Sequence, residues 1–257
     1  MEIEKPPKYL YKYRGWNEHT RAMIEKGELF YQDHSKQNDP FEIKTRSEMP
    51  TDRFSREKLA RRELSRFSLP QKIPDEHFEK FVSQMVAAMD NPVGLLSPVE
   101  PYGIFCMTEL PDNLLMWAHY GLNHSGVCVQ FDAESWEDEQ YGRLTRIEYK
   151  SEIPVITAND WLDDTTEEPF HRTTRTKSKD WEYEKEWRAI CHTPSTIAIA
   201  KKRMIPAIIV GACCPDDHRQ EIKEVCDSRG IKVYEAKLSE TKYAIEIPGL
   251  NDSDDNS

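Results

Sequence analysis

The apolar runs of this chain are short, and each is bounded by turn-forming residues. The clearest are residues 103–108, 127–131 and 207–211. Runs of this length are typical of buried β-strands and fall well below the roughly 18–20 residues that span a bilayer. We therefore expect a strand-rich globular fold with no membrane segment.

The length and composition of the chain limit the number of cores. With 257 residues and 38% apolar content, it can bury one large core, or at most two small ones. Glycine is scarce, with 10 residues against 16 prolines, and neither a Walker-type nor a dinucleotide-type glycine motif is present. This argues against a glycine-rich phosphate loop.

Periodicity and turn signals predict alternating strands and helices. Helices are predicted at 19–26, 53–67, 75–89, 111–120 and 216–228, with Gly27 and Gly230 as C-caps. Strands are predicted at 9–14, from 29, and at 103–108, 127–131, 144–149, 187–191, 207–211, 231–236 and 243–247. This pattern predicts a single-domain α+β fold over 1–250 with mixed or antiparallel sheets.

Three regions stand apart from this pattern. The helices at 53–67 and 75–89 read as a two-helix insertion, about residues 52–90, packed on the main sheet. Residues 157–180 are polar without periodicity and predict a helix-plus-loop region or a flap. The acidic tail 251–257 is predicted to be disordered.

The N-terminus and the cysteines both point to a reducing compartment. Residues 1–9 are charged and lack an apolar signal-peptide core, so we expect a cytoplasmic protein. The six cysteines form no C-x-x-C pair, and most lie in apolar runs. Reduced, buried cysteine is the favoured interpretation, and a zinc site or a disulfide framework is the alternative.

The net charge of −11 disfavours general binding to a nucleic-acid backbone. One stretch is rich in basic residues despite the negative net charge. It includes Arg53, Arg56, Lys58, Arg61, Arg62 and Arg66. It would be either a solvated helix face or a guide for a nucleic-acid acceptor.

The most conspicuous polar pattern is the pair Glu184 and Glu186. On a strand, these carboxylates would share a face about 7 Å apart. The two negative charges repel each other, and proteins keep such a pair mainly where it binds a cation, a cationic transition state or a sugar hydroxyl. The alternative is a solvated strand end beside Lys185 and Arg188.

Other polar residues lie at strand ends. Arg14 ends the first predicted strand and would be either a structural ion-pair partner or a phosphate clamp. Thr108 and Glu109 follow the strand at 103–108, a common position for site residues. His119 and His124 would be metal ligands with Glu109 only if the fold brings them together, since their spacing places them on different faces of a helix.

Four segments, in this order, resemble a bacterial family catalogued as domain of unknown function 2971. They are LYKYR at 10–14, NDPFE at 38–42, MWAHYG at 116–121 and W-x-YE-x-EWR at 181–188. The resemblance covers roughly residues 9–248 and carries no function in its name.

The layout also resembles ADP-ribosyltransferases, especially bacterial enzymes that modify nucleic-acid bases. These enzymes open with a strand ending in a basic residue, followed by a short helix closed by glycine. They carry a Ser/Thr-bearing strand in the middle and a catalytic glutamate, often as Glu-x-Glu, leading into a later strand. Here, Arg14, Thr108 and Glu186 would fill these places, although the middle strand has Met-Thr where many members have Ser-Thr-Ser.

This resemblance implies a glycosyltransferase that consumes NAD, either an ADP-ribosyltransferase or an NAD glycohydrolase, acting as a defence or toxin effector on a nucleic acid or protein. Glu186 would stabilise the oxocarbenium transition state, Glu184 would orient the acceptor, and Thr108 would position neighbouring groups. Arg14, or equally Lys12, would hold NAD. The further residues implied to bind NAD or an acceptor base are Tyr13, Asn38, Trp117, His119 and Tyr120.

Two other function classes stay open on the sequence. A metal-dependent hydrolase or nuclease would use Asp39, Glu42, His119, Glu184 and Glu186. In a non-catalytic binding or regulatory module, the two glutamates would bridge to arginines such as Arg14 or Arg188.

Overall fold

The structure is a computed structural model and describes residues 4–66, 74–89, 102–136, 141–157, 159–160, 168–191 and 193–250. The predicted acidic tail at 251–257 lies outside these residues, as do Phe67 and much of the polar region predicted at 157–180.

The helices of the described chain are α1 (Glu18–Lys26), α2 (Arg53–Arg66), α3 (Asp75–Ala88), α4 (Leu114–His119), α5 (Glu168–Thr174) and α6 (Asp216–Arg229). The strands are β1 (Tyr9–Arg14), β2 (Glu28–Asp33), β3 (Arg46–Ser47), β4 (Gly103–Thr108), β5 (Val127–Asp132), β6 (Leu144–Arg146), β7 (Glu148–Lys150), β8 (Val155–Ile156), β9 (Thr176–Ser178), β10 (Glu186–Cys191), β11 (Thr196–Ile199), β12 (Ala207–Val210), β13 (Lys232–Glu235), β14 (Lys237–Leu238) and β15 (Ile245–Glu246).

The chain divides into two compact units. The first contains the described residues of Met1–Pro40, Pro101–Tyr149 and Lys179–Ser257, and the second those of Phe41–Glu100 and Lys150–Ser178. The helices α2 and α3 of the predicted insertion lie in the second unit. There, Leu59, Ala60, Val82, Met89 and Ile156 form a small buried core.

The first unit is built on one large sheet in which most neighbours are antiparallel. Its order is β11-β2-β4-β1-β5-β12-β13, with β10 pairing β4 and β6. Only β12 and β13 pair in parallel within it, among the described strands. This mixed α/β structure with a mainly antiparallel sheet confirms the coarse fold class; the single-domain boundaries and the likeness to the ADP-ribosyltransferase fold stay predictions.

Strand β4 is shared by two branches of the sheet along one edge. Strand β1 meets it at Tyr11 opposite Thr108, whereas β2 meets it at Gln32 opposite Ile104. Both strands run antiparallel to β4 and therefore parallel to each other. The sheet thus divides between them, and the middle of this edge of β4 is paired with neither strand at these registers.

Each face of the sheet carries its own apolar core. Leu10, Phe105, Val129 and Trp187 pack on one face. Tyr11, Tyr13, Trp117, Cys128 and Ile209 pack on the other. The alternation follows from the strand period of two residues, because successive side chains point to opposite faces.

The two predicted glycine caps are confirmed. Gly27 ends α1 with φ 76°, and its N–H donates to the carbonyls of Ala22 and Met23. Gly230 ends α6 with φ 67°. Glycine takes this left-handed conformation without the penalty that a Cβ imposes.

Several predicted boundaries are wrong. The single strand predicted at 144–149 is two, β6 and β7, separated by Ile147, whose N–H donates to the carbonyl of Glu186 at 3.0 Å. The helix predicted from residue 111 begins at Leu114, because the side chain of Asn113 accepts from the N–H groups of Leu115 and Met116. Edge strand β11 has no counterpart in the prediction.

Candidate functional site

Three neighbouring strands carry Arg14, Thr108 and Glu186, three of the four residues predicted to be catalytic. Thr108 of β4 lies opposite Tyr11 of β1 on one side and opposite Glu186 of β10 on the other. Directly opposed residues share a face of a sheet. Tyr11, Thr108 and Glu186 therefore form one row across the sheet, although 175 residues of sequence separate Tyr11 from Glu186.

Glu186 is the first residue of β10, and its carboxylate is paired within the strand. Arg188, two residues on and on the same face, donates from Nε at 2.8 Å and from Nη2 at 3.2 Å. Glu186 is 3% exposed and Arg188 is fully buried. A planar guanidinium and a carboxylate fit in this two-bond geometry, so each charge is compensated inside the protein.

Cys106 lies beside this ion pair. It is opposite Arg188 in the pairing of β4 with β10, and its thiol lies close enough to the Glu186 carboxylate to feel its charge. Burial raises the pKa of the Cys106 thiol, and the negative charge of Glu186 raises it further. The thiol is therefore protonated at neutral pH and adds no second negative charge beside the carboxylate.

The side chain of Lys12 connects β1 to the middle of β4, at the edge where β4 pairs with neither β1 nor β2. Its Nζ donates to the carbonyl of Cys106 at 2.7 Å and lies 4.3 Å from the centroid of the Phe105 ring. The side chain is partly exposed as a whole, but its ammonium group is enclosed, and this burial lowers the pKa of Lys12 to about 8. Glu186 acts in the opposite direction, because its negative charge favours the ammonium form.

Arg14 ends β1 on the same side of the strand as Lys12. Its Nε donates to the hydroxyl of Thr20 at 3.3 Å, and that hydroxyl donates to the carbonyl of Gly15 at 2.7 Å. Burial lowers the pKa of Arg14. The first turn of α1 thus orients the guanidinium, and no carboxylate of the described residues forms an ion pair with it.

The structure corrects the prediction that Glu184 shares a strand face with Glu186. Glu184 ends a 3-10 turn (Lys179–Glu184), and Lys185 then takes a left-handed conformation with φ 43°. The carbonyl of Lys185 accepts from the N–H of Glu109 at 3.3 Å. The strand begins only at Glu186, so the alternation rule does not apply across Lys185.

Glu184 is nevertheless buried at the same end of the strand. Its carboxylate accepts from the Tyr120 hydroxyl at 2.6 Å, and its backbone carbonyl accepts from the Thr108 hydroxyl. Asn38 donates from Nδ2 to the Tyr120 hydroxyl at 2.9 Å. A hydrogen-bond chain from Asn38 through Tyr120 to Glu184 therefore joins three residues that the sequence assigned to the site.

The remaining predicted residues have different surroundings. Tyr13 and Trp117 are buried and pack edge to face at 5.0 Å between ring centroids. Their polar atoms donate to the carbonyls of Leu110 and Pro111, respectively. Both rings are part of the core, which leaves Tyr120 as the predicted stacking ring that is partly exposed. His119 is exposed at the end of α4.

The described residues do not bring together three His, Cys, Asp or Glu side chains in a geometry that could hold a metal ion. Within the first unit, His124 stacks on Trp117, and its Nδ1 is buried without a hydrogen-bond partner among the described residues. The ligand set proposed for a metal-dependent hydrolase therefore has no support in these residues.

The basic helix predicted to guide a nucleic acid is α2. Arg53 pairs with Glu57, Arg61 with Glu79 and Arg62 with Glu63. Arg56 donates to the carbonyl of Pro50. Three of the six cations are thus paired with carboxylates within the second unit, which favours the solvated-face interpretation.

Two residues near Glu186, Cys106 and Tyr149, were not predicted from the sequence to belong to the site. Cys106 read as a small hydrophobe, and Tyr149 as part of a plain strand. The Tyr149 hydroxyl accepts from the N–H of Glu186 at 2.8 Å. No local pattern marks either residue, because each contact with Glu186 joins segments that are distant in the sequence.

Comparison with known proteins gives one match. Residues 116–189 match the model of a family described as Protein of unknown function (DUF2971). The matched segment begins in α4 and ends in β10, so it contains Tyr120, Glu184, Glu186 and Arg188. It is shorter than the resemblance over residues 9–248.

No curated protein and no solved structure matches the chain. Among the described residues, no helix is long and apolar enough to cross a membrane.

Proposed function

We propose that this protein consumes NAD, as an ADP-ribosyltransferase or NAD glycohydrolase, at the row of residues that joins β1, β4 and β10. The observation that carries the proposal is the pairing of Thr108 with both Tyr11 and Glu186. It joins the hydroxyl of β4 and the glutamate of β10 to β1, the strand that carries Lys12 and Arg14, and the three strands follow one another along the chain in the order that the resemblance to ADP-ribosyltransferases implies.

The charges of the cluster suit this chemistry. When the nicotinamide–ribose bond breaks, its electron pair leaves with nicotinamide and positive charge develops on the ribose. A carboxylate that accepts a hydrogen bond from the ribose 2′-hydroxyl stabilises that charge. Glu186 is the carboxylate that we assign to this role, and Arg188 holds it in one orientation.

The cations of β1 supply the complementary part of the site. Lys12 and Arg14 alternate with Tyr11 and Tyr13, so they project from the face of β1 opposite the glutamate row. Lys12 nevertheless reaches β4 at the Cys106 carbonyl, and we assign its positive charge to the NAD pyrophosphate. Glu184, held by Tyr120, would then orient the acceptor, which is water in a glycohydrolase and a nucleic acid or protein in a transferase.

One observation favours a second candidate, a non-catalytic binding or regulatory module. Both carboxylate oxygens of Glu186 accept from Arg188, and both residues are buried. In that case the ion pair fixes the register of β10 and takes no part in chemistry. The role of defence or toxin effector belongs to the first candidate only.

One measurement, the release of nicotinamide from NAD, distinguishes the two candidate functions. Purified protein is incubated with NAD, and nicotinamide and the ADP-ribosyl products are followed by mass spectrometry. We expect nicotinamide release that Glu186→Gln abolishes, while Glu240→Gln, at an exposed position, preserves it. Folding of each variant is checked by thermal denaturation. Absence of release, or equal release by a folded Glu186→Gln variant, would rule out the enzymatic proposal.

A further inference from the structure

A concavity lies apart from the glutamate row, within the first unit. It is a cavity of about 900 Å³ lined by residues 4–6 and 8, residues 132–136, residues 142–144 and Arg203. Ligand pockets for small organic molecules commonly measure about 300–1,000 Å³. The cavity is therefore large enough for a nucleotide-sized molecule.

The cavity is on the opposite face of the sheet from Glu186. Its lining residue Leu144 lies directly opposite Ala189 in the pairing of β6 with β10. Ala189 is three residues beyond Glu186, so their side chains point to opposite faces. Whatever binds in the cavity does so at a site separate from the glutamate row.

Four cations line the cavity: Lys5, Lys8, Arg143 and Arg203. Arg143 and Arg203 are exposed, and neither forms an ion pair with a carboxylate in the described part of the chain. This concentration of positive charge occurs on a protein whose net charge is −11. Two guanidinium groups at one concavity are suited to bind a phosphate by paired hydrogen bonds.

The carboxylates of the cavity leave this charge only partly compensated. Glu4 pairs with Arg146, which lies outside the lining. Asp132 accepts from the N–H of Glu134 and from the hydroxyl of Ser135. Glu134 is the lining carboxylate for which the described residues supply no such partner.

The cavity also has an apolar side. Ala133, Trp136 and Leu144 line it and belong to the buried core of the first unit. The Trp136 indole N–H already donates to the carbonyl of Tyr141 at 3.1 Å. The small part of this buried side chain that borders the cavity is therefore apolar, and the charged residues supply the polar contacts.

From these observations we propose that the cavity binds an organic phosphate of nucleotide size. The phosphate contacts Arg143 and Arg203, and the organic part packs against Ala133, Trp136 and Leu144. The site is distinct from the NAD-consuming site and does not depend on it.

Titration calorimetry with ADP as the probe tests this proposal on the full-length protein. We expect saturable binding of one ADP, with adenosine and inorganic pyrophosphate each binding at least about tenfold more weakly because each lacks half of the contacts. The double variant Arg143→Gln, Arg203→Gln should bind ADP at least about tenfold more weakly. Lys202→Gln, at the exposed residue next to Arg203 and outside the lining, should bind ADP like the wild type.

A variant that is expected to bind ADP more tightly adds a second test of the proposal. Glu134→Gln removes a negative charge from the lining and should tighten ADP binding. The double variant Arg143→Gln, Arg203→Gln should consume NAD like the wild type if the proposed function is correct, which separates this proposal from the one for NAD consumption. The proposal fails if ADP does not bind, if pyrophosphate binds as tightly as ADP, or if the double variant binds ADP unchanged.

Discussion

The carboxylate of Glu186 and the guanidinium of Arg188 form two hydrogen bonds, at 2.8 Å and 3.2 Å, between residues that are almost completely buried. A buried ion pair gains little over an apolar pair of similar volume, because desolvation offsets the attraction. Removing one partner is costly, however, since the other charge stays buried. The free energy of unfolding that is lost on removing one partner can therefore be compared with the loss on replacing both.

Replacing Arg188 with Met should lower the free energy of unfolding by about 3–5 kcal/mol, because the Glu186 carboxylate loses the guanidinium while remaining buried. The double variant Glu186→Met, Arg188→Met should recover most of this loss. Urea unfolding of both variants and of Glu186→Met gives the complete double-mutant cycle. Additive effects of the two single changes would contradict the pairing.

Lys12 should make stability depend on pH in the alkaline range. Its pKa is about 8 in the folded protein against 10.5 ordinarily, so the unfolded state binds more protons between these values. The destabilising cost, roughly 3 kcal/mol at most, is full below pH 8 and disappears as pH rises towards 10.5.

Unfolding of wild type and Lys12→Met between pH 7 and pH 10.5 measures this effect. The wild type should gain stability relative to the variant as pH rises. Lys232→Met, at an exposed position, should follow the wild type with a constant offset. A constant offset for Lys12→Met as well would show that the ammonium group is not buried.

Tyr120→Phe should destabilise the protein by about 1–3 kcal/mol, because the buried Glu184 carboxylate loses a donor at 2.6 Å. Tyr243→Phe is the matched control, since Tyr243 is fully exposed. If the proposed function is correct, Tyr120→Phe should also reduce NAD consumption by a folded enzyme. Equal stability of the two variants in urea would contradict the hydrogen bond to Glu184.

Two glycines with the same backbone conformation should respond differently to alanine. Gly142 and Gly230 have φ of 71° and 67°, so both variants carry the strain of a left-handed residue. A Cβ at Gly142 would lie 2.3 Å from the carbonyl oxygen of Ile190, whereas one at Gly230 meets nothing within 4 Å.

Gly142→Ala should therefore cost about 1–3 kcal/mol more than Gly230→Ala, as is usual for overpacking. Thermal or urea unfolding of the two variants measures the difference. Because the backbone strain is common to both, the difference isolates the steric contact with β10. Equal losses would mean that the segment around Gly142 moves away at little cost.

The local sequence predicted much of the secondary structure because its signals are local. The apolar runs at 103–108, 127–131 and 207–211 are strands β4, β5 and β12, and glycine ends α1 and α6 where a left-handed residue is needed. Edge strand β11 was missed, since its half-exposed residues do not form the apolar run of a buried strand.

The candidate site was only partly predictable. The sequence placed Glu186 at the start of a strand and named Arg188 as one of the arginines to which the glutamates could bridge. It also implied that Glu184 shares a strand face with Glu186, which fails because Lys185 is left-handed. The carbonyl of Lys185 accepts from the N–H of residue 109, which is distant in the chain, and no local pattern signals this conformation.

What the sequence determined by itself was the set of strands and caps and the polar residues at their ends, because alternation and φ preferences act within a few residues. Only the tertiary structure decided that Thr108 lies between Tyr11 and Glu186, that Lys12 bridges the divided edge of β4, and that Arg143 and Arg203 line one cavity. These relationships depend on strand order and register. Contacts between distant segments set that order, so it is absent from any single stretch of the chain.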